Sequence, residues 1–130
     1  MLYGTTAVGG VFSNGGTVFR MALDGSAYQH LHSFFGVGDG FNPAAGLIEA
    51  FDGTLFGTTV YGGEGFRGTI FQLAPDGTGY AVLYSFTGGS TDGANPYPGL
   101  IQDQDGVLYG TTFAGGAINF GVVFQLTIGQ

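Results

Sequence analysis

The sequence LYGTT at residues 2–6 returns as LFGTT at 55–59 and as LYGTT at 108–112, a period of 53 residues. A fixed period of this size indicates an array of identical supersecondary units. The Gly-Gly pair that follows each copy keeps the same spacing, so the period extends beyond the pentapeptide. We therefore predict one repeat domain, 1–130, made of repeats 2–54 and 55–107 and a partial repeat 108–130.

The composition indicates an all-β protein, because 28 Gly, 13 Phe and 7 Tyr give many turns and a β-prone aromatic core. The net charge of -7, with Arg20 and Arg67 as the two basic residues, argues against nucleic acid and anionic membranes as partners. No apolar run of membrane-spanning length and no leader after Met1 are present, which predicts no membrane span and no signal peptide in this chain. The absence of Cys excludes disulfides and thiolate metal sites.

Each period contains four short strand-like segments, which we label a to d. In the second copy they are GLIEAF at 46–51, TLFGTTVY at 54–61, GTIFQLA at 68–74 and YAVLYSF at 80–86. Asp-Gly dipeptides between a and b and between c and d predict two-residue hairpins. Four strands joined in this way form an antiparallel meander.

Both faces of these strands carry apolar side chains, since Phe71 and Leu73 alternate with Ile70 on the opposite face. A sheet that is apolar on both faces must be covered on both. Four-stranded sheets packed face to face around an axis form a β-propeller. A parallel β-helix is the alternative, but its coils need no tight Asp-Gly hairpin twice per period, so the hairpins favour the propeller.

The ordered motifs LYGTT, GG, GTVF or GTIF, DG, LxSF, DGxNP and GLI resemble the Gloeo/Verruco tandem repeat over nearly the whole chain. The resemblance implies a propeller in a bacterial protein that is secreted or held at the cell surface. It implies no catalytic residues.

Counted along the chain, the strands run b-c-d, a-b-c-d and a-b-c, or about two and a half blades. An isolated half-ring would leave two apolar blade faces in water. We therefore predict that the ring is closed by other copies of the chain, as a homo-oligomer, or by repeats that this sequence lacks.

The b–c and d–a connections should lie together on one face of the ring, and they hold most of the variation in length and sequence. Aromatic rings beside planar amide or guanidinium donors suit sugars, so these loops predict carbohydrate binding. In the alternative interpretation each Phe folds back over its own loop. The candidate ligand-binding residues of the b–c loops are Phe12, Asn14, Phe66, Arg67, Asn119 and Phe120.

The d–a connections repeat an Asp-Gly-x-Asn-Pro pattern that adds Asp39, Asn42, Asp92 and Asn95 to the candidate ligand-binding residues. Their oxygen atoms are of the type that binds calcium. The stronger interpretation is that Asp and Asn set the turn and Pro fixes the entry into strand a. We predict neither a metal nor a cofactor.

His30 and His32 are two residues apart on strand d, a spacing that places them on one strand face and could hold a metal. Val82 and Tyr84 replace them in the second copy, which favours a local packing or surface role. No Gly-x-Ser-x-Gly elbow and no HExxH motif is present, and Glu49 and Glu64 with the Asp residues are the only acids that could serve a glycosidase.

Three functional hypotheses follow. The first is a non-catalytic, lectin-like module whose partners are glycans and other copies of itself, with neither nucleic acid nor a membrane span. The second is a structural or adhesive surface repeat, or a self-assembling propeller fragment, with no ligand. The third is a glycoside hydrolase or lyase.

Overall fold

The computed structural model describes residues 1–12 and 14–128, so the last two residues of the predicted third repeat lie outside it. Within these residues the chain is all-β and contains no helix, as predicted. The strands are β1 (Leu2–Thr6), β2 (Thr17–Met21), β3 (Gln29–Ser33), β4 (Ile48–Glu49), β5 (Leu55–Thr59), β6 (Thr69–Leu73), β7 (Ala81–Ser85), β8 (Gly93–Ala94), β9 (Ile101–Gln102), β10 (Leu108–Thr111), β11 (Ala114–Gly115) and β12 (Val123–Leu126).

Three antiparallel sheets follow one another along the chain. The first sheet has the order β1-β2-β3, the middle sheet β4-β5-β6-β7 and the third sheet β9-β10-β12. This order agrees with the predicted succession b-c-d, a-b-c-d and a-b-c. Strand a is shorter than predicted, with two residues in each of its copies. A small additional pair, β8 with β11, was not predicted.

The Asp-Gly turns differ from the predicted two-residue hairpins. In the turn after β2, the Ala22 N–H donates to the Ser26 carbonyl (2.8 Å), which closes a three-residue loop. Only the glycine has a positive φ, 86° at Gly25 and 89° at Gly53 and Gly77. This is a type I turn closed by a left-handed glycine, and the Asp side chain accepts the N–H two residues on instead of adopting a left-handed conformation itself.

The middle sheet is buried on both faces, as the alternation of its side chains predicts. Leu55, Phe71 and Leu73 pack with Val18 and Phe34 of the first repeat. The opposite face contributes to a second cluster that contains Phe56, Ile70, Phe86, Leu100 and Leu108. Each large apolar side chain buried in this way contributes about 1.5–3 kcal/mol.

The two packing interfaces share one geometry. Phe34 meets Phe71 edge to face, with ring centroids 5.2 Å apart and an interplanar angle of 64°. Phe86 meets Phe124 at 5.2 Å and 63°. The sheets therefore stack through a repeated contact, one repeat apart.

Strand d carries a β-bulge in both of its copies. His32 pairs with Val18 and His30 with Phe19, so Leu31 is the extra residue of β3. Because neighbouring residues of β2 face opposite ways, the two histidines lie on opposite faces of the sheet. The prediction that they share a face is wrong, and with it the geometric basis for a metal between them.

The loops between two successive sheets form what we call a joint. The first joint lies around Asn42, between the first and middle sheets, and the second lies around Asn95, between the middle and third sheets; both use the same backbone and side-chain groups. Asn42 has φ 58° and donates its N–H to the Gly15 carbonyl (2.7 Å) and its side-chain amide to the Ala7 carbonyl (2.6 Å). Its own carbonyl accepts the Val60 N–H (3.1 Å). Asn95, with φ 59°, makes the equivalent bonds one repeat later. Each Asn thereby ties its own repeat to the next.

Candidate binding site on the loop face

The joint brings together the variable loops that the sequence singled out. Phe41, from a d–a connection, pairs with Tyr61 of the next b–c loop. The Gly63 N–H donates to the Gly36 carbonyl in the same place (3.2 Å). The first joint therefore unites loops from two repeats into one surface.

Aromatic side chains cover this surface. Phe12 meets Phe35 edge to face at 6.0 Å, and Phe41 stacks on Tyr61 at 5.6 Å. Phe66 lines a hollow of about 240 Å³ with one ring of each pair, Phe35 and Phe41, and with the neighbouring Val37. We call Phe12, Phe35, Phe41, Tyr61 and Phe66 the aromatic patch.

Phe41 is partly buried and packs against the core cluster of Val18 and Phe34, but three other rings of the aromatic patch are largely exposed. Phe12 is 50% exposed, Phe35 53% and Phe66 59%. Phe12 contacts Phe35 of a d–a connection, so its ring does not pack on its own loop alone. The patch is open to solvent, and its apolar faces are accessible to a ligand.

Phe66 occupies a position that the other two repeats fill with asparagine. Asn14, Phe66 and Asn119 have φ values of 60°, 59° and 61°. The Asn119 side-chain oxygen accepts the Gly115 N–H (2.7 Å), and Asn14 accepts the Gly9 N–H in the same way. Phe66 adopts the same left-handed backbone without a side chain that can make this bond.

The other predicted residues of the b–c loops are distributed over two places. Arg67 is exposed beside Phe66, and no ion pair to it is found among the described residues. Asn119 and Phe120 line a separate hollow of about 650 Å³ with Tyr97 and Phe113. Phe12, Phe66 and Phe120 therefore do not occupy equivalent positions, and the loops do not form three equal sites.

Asp39 lies inside the protein, with an exposed fraction of 1%. Its carboxylate accepts hydrogen bonds from the Tyr80 hydroxyl and the Phe35 N–H (3.3 Å), and His32 Nε2 lies 3.1 Å from it. Burial, together with the bond to Asp39, raises the pKa of Tyr80. The His32 ring also stacks on Tyr80 at 3.8 Å. His32 and Asp39 thus serve packing at the first joint.

Asp92 holds its own turn. It accepts the Thr87 N–H (2.8 Å), the Gly93 N–H (2.8 Å) and the Tyr84 hydroxyl (2.9 Å). Partial burial opposes ionisation, but these donors outweigh it and lower the pKa of Asp92. With Asn42 and Asn95 in the joints, the four Asp and Asn candidates of the d–a connections use their polar groups within the protein.

The described residues contain no group of three or more His, Cys, Asp or Glu side chains placed to hold a metal ion. Glu49 and Glu64 line different hollows, so they do not form the paired acids of a glycosidase with each other. Glu49 shares its hollow with Asp103, whose carboxylate accepts the Val107 N–H and the Tyr109 hydroxyl. Across the part of the chain that the structure describes, no helix is long and apolar enough to span a membrane.

Sequence reasoning missed Phe35, Phe41 and Tyr61. Phe35 and Phe41 were visible as apolar residues in a connection that is otherwise polar and glycine-rich, whereas Tyr61 was assigned to the end of strand b, which in the structure ends at Thr59. The second repeat places Thr87 and Ala94 where the first has Phe35 and Phe41. Because these two aromatic residues occur in the first d–a connection and are absent from the second, comparison of the repeats indicates that the first joint carries a distinct surface.

The fold and the site define an all-β repeat protein whose antiparallel sheets stack face to face and gather their variable loops at the joints. The sequence model of the Gloeobacter/Verrucomicrobia repeat matches residues 1–130, and the chain belongs to this family. The family predicted from the motifs is therefore confirmed. Comparison with curated proteins and with solved structures gives no match.

Proposed function

We propose that this protein is a non-catalytic, lectin-like module of a β-propeller and that the aromatic patch binds carbohydrate. The observation that carries the proposal is Phe66, an exposed aromatic residue held in a left-handed backbone conformation. That conformation costs a residue with a side chain about 1–2 kcal/mol, and asparagine offsets the cost by a local hydrogen bond. Phe66 cannot do so.

Backbone strain that no hydrogen bond or core contact of the same residue offsets is typical of functional positions. The ring of Phe66 is too exposed to add much to the core, and both other repeats fill its position with asparagine. A role in contact with a ligand explains why an aromatic side chain stands there.

The chemistry of the patch favours a neutral, polar ligand with an apolar face. The rings offer flat apolar surfaces. The Tyr61 hydroxyl lies 3.5 Å from the Tyr97 hydroxyl, and the Arg67 side chain lies beside Gly88, so the polar donors stand at the side of the patch that faces the second joint. The net charge of -7 disfavours anionic ligands. A sugar ring, with C–H faces and equatorial hydroxyls, meets these requirements, and a secreted or cell-surface location would give access to it.

The packing supports a propeller. Each of the two interfaces joins one face of a sheet to the opposite face of the next, with the same pair of Phe rings in contact. A constant relation between successive sheets generates a ring when it is continued. The catalytic alternative has less support, because Glu64 lies apart from Glu49, and Asp103, which shares the hollow of Glu49, already accepts the Val107 N–H and the Tyr109 hydroxyl.

A glycan array tests the proposed function. We expect the wild-type protein to bind a defined set of neutral glycans and the Phe66→Ala variant to lose at least tenfold in affinity. Phe51→Ala is the matched control, because Phe51 is 97% exposed but lies at an a–b turn, on the opposite face. No binding by the wild type, or equal loss in both variants, would contradict carbohydrate binding at the patch, and no binding would favour the structural or adhesive function.

A further inference from the structure

The first sheet and the third sheet each have one exposed apolar face. The equivalent faces of the other sheets are buried against a neighbouring sheet. Leu2, Leu55 and Leu108 are equivalent residues of strand b. Leu55 and Leu108 are 0% exposed, whereas Leu2 is 47% exposed. The first sheet therefore leaves open the face that the middle and third sheets bury.

The third sheet leaves open the complementary face. Val18, Ile70 and Val123 are equivalent residues of strand c, with exposed fractions of 0%, 1% and 81%. Inside the chain, Val18 packs in the cluster of Leu55 and Ile70 in the cluster of Leu108. By the same pairing, the exposed Leu2 would pack against a residue equivalent to Val18 and Ile70, and Val123 is the exposed residue at that position.

The internal interfaces specify how these faces fit. In each of them a Val or Ile of strand c lies in one cluster with the strand-b Leu and with apolar residues of strand c from the next sheet, such as Phe71 and Leu73. The first sheet carries the same set as Leu2, Phe19 and Met21. The two open faces therefore match in strands b and c, between opposite ends of the molecule. Among the described residues the third sheet offers no strand-d Phe equivalent to Phe34 and Phe86, so this contact is smaller than the internal ones.

We propose that a second copy of this chain docks its Leu2 face onto the Val123 face of the first, continuing the stack of sheets head to tail. The contact is heterologous, since each copy uses a different face. It goes beyond the proposed function and does not depend on it, because the aromatic patch lies at the first joint within one copy.

The sheet faces carry this contact without the loop bonds of the internal joints. Those bonds need a d–a connection such as the one around Asn42, and the third sheet ends its described strands at strand c. Each copy also carries a charge of -7, so the copies repel one another at low ionic strength. We therefore expect association that depends on protein concentration and strengthens with added salt.

Light scattering coupled to gel filtration tests the proposal with two variants. Val123→Lys removes one face and Leu2→Lys the other. We expect wild-type assemblies heavier than the 13.3 kDa chain and an at least tenfold weaker association for each variant alone. Mixed in equal amounts, the variants should form a 1:1 pair that does not grow, because each retains the face that the other needs.

The controls keep the outcomes distinct. Val11→Lys, at an equally exposed loop position (76%), should leave the wild-type masses unchanged. Circular dichroism and cooperative thermal unfolding report whether each variant is folded. The proposal is overturned by a wild-type protein that stays at 13.3 kDa at all concentrations and salt levels, or by folded variants that fail to pair while the wild type associates.

Discussion

Asparagine organises this molecule at the scale of single residues. Asn14, Asn42, Asn95 and Asn119 all have φ near 60°. Asparagine tolerates this conformation because its short amide can bond to nearby backbone groups. At Asn42 and Asn95 the side-chain amide reaches a carbonyl 35 residues away in the same repeat. The main-chain carbonyl of each Asn accepts an N–H of the next repeat, so a local conformational preference also sets the contact between repeats.

Substitutions at Asn42 separate the two contributions. We expect Asn42→Gly to lower the free energy of unfolding by about 1 kcal/mol, since it keeps the left-handed backbone and loses one hydrogen bond. Asn42→Ala should cost about 2 kcal/mol or more, because it adds the cost of a left-handed alanine. Urea denaturation measures both. Equal losses would mean that the backbone conformation contributes nothing.

The sequence predicted the roles of the Asp and Asn residues in the d–a connections better than it predicted which sheet faces carry the histidines of strand d. Turn setting by Asp and Asn was the stronger interpretation of the Asp-Gly-x-Asn-Pro pattern, and the hydrogen bonds of Asp92 to the Thr87 and Gly93 N–H groups agree with it. The Asn95 amide differs, because it donates to the Val60 carbonyl 35 residues away. The faces of His30 and His32 were predicted wrongly because period-two alternation fails at the bulge of Leu31. Nothing in the local sequence of β3 marks that bulge.

At the scale of elements, the turns and strands follow the 53-residue period closely. The Asp-Gly turns all place glycine in the left-handed conformation, and the Asp before it caps the N–H two residues on in three of them. Strand order could be predicted because hydrophobic alternation and turn signals are local. The pair β8–β11 could not, since it joins two short loop segments whose approach depends on how the sheets pack.

The turns predict a dependence of stability on pH. Hydrogen bonds from Ser26 to Asp24, from Thr54 to Asp52 and from Thr78 to Asp76 lower the pKa of these carboxyls below 3.8. A lowered folded-state pKa stabilises the protein above the unfolded value, and the contribution is lost as the pH falls through the folded pKa. We expect the free energy of unfolding to decrease as the pH drops below about 4.

A triple variant tests the origin of that decrease. Asp24→Asn, Asp52→Asn and Asp76→Asn together keep an acceptor oxygen at each turn and remove the titration. Thermal unfolding between neutral and acidic pH should show a shallower loss of stability in the variant than in the wild type. An unchanged slope would assign the acid sensitivity to other carboxyls, such as Asp92.

At the scale of the whole molecule, the same sheet-to-sheet interface occurs twice, whereas the aromatic patch occurs once, at the first joint. The burial of both faces of the middle sheet could be predicted from Ile70 and Phe71, which face opposite ways in one strand. The aromatic patch could not, because Phe35 and Phe41 reach Phe66 only after two repeats have docked. The account therefore combines a repeated scaffold with a single, non-repeated place for a ligand.

This combination implies that stability is reduced at Phe66 for the sake of binding, and the variant Phe66→Asn tests that claim most directly. It restores the residue found at the equivalent positions Asn14 and Asn119. We predict that thermal unfolding shows a gain of about 1 kcal/mol, from relief of the left-handed strain and the added hydrogen bond, while glycan binding falls at least tenfold. A variant that is less stable than the wild type, or that binds glycans equally well, would contradict the account.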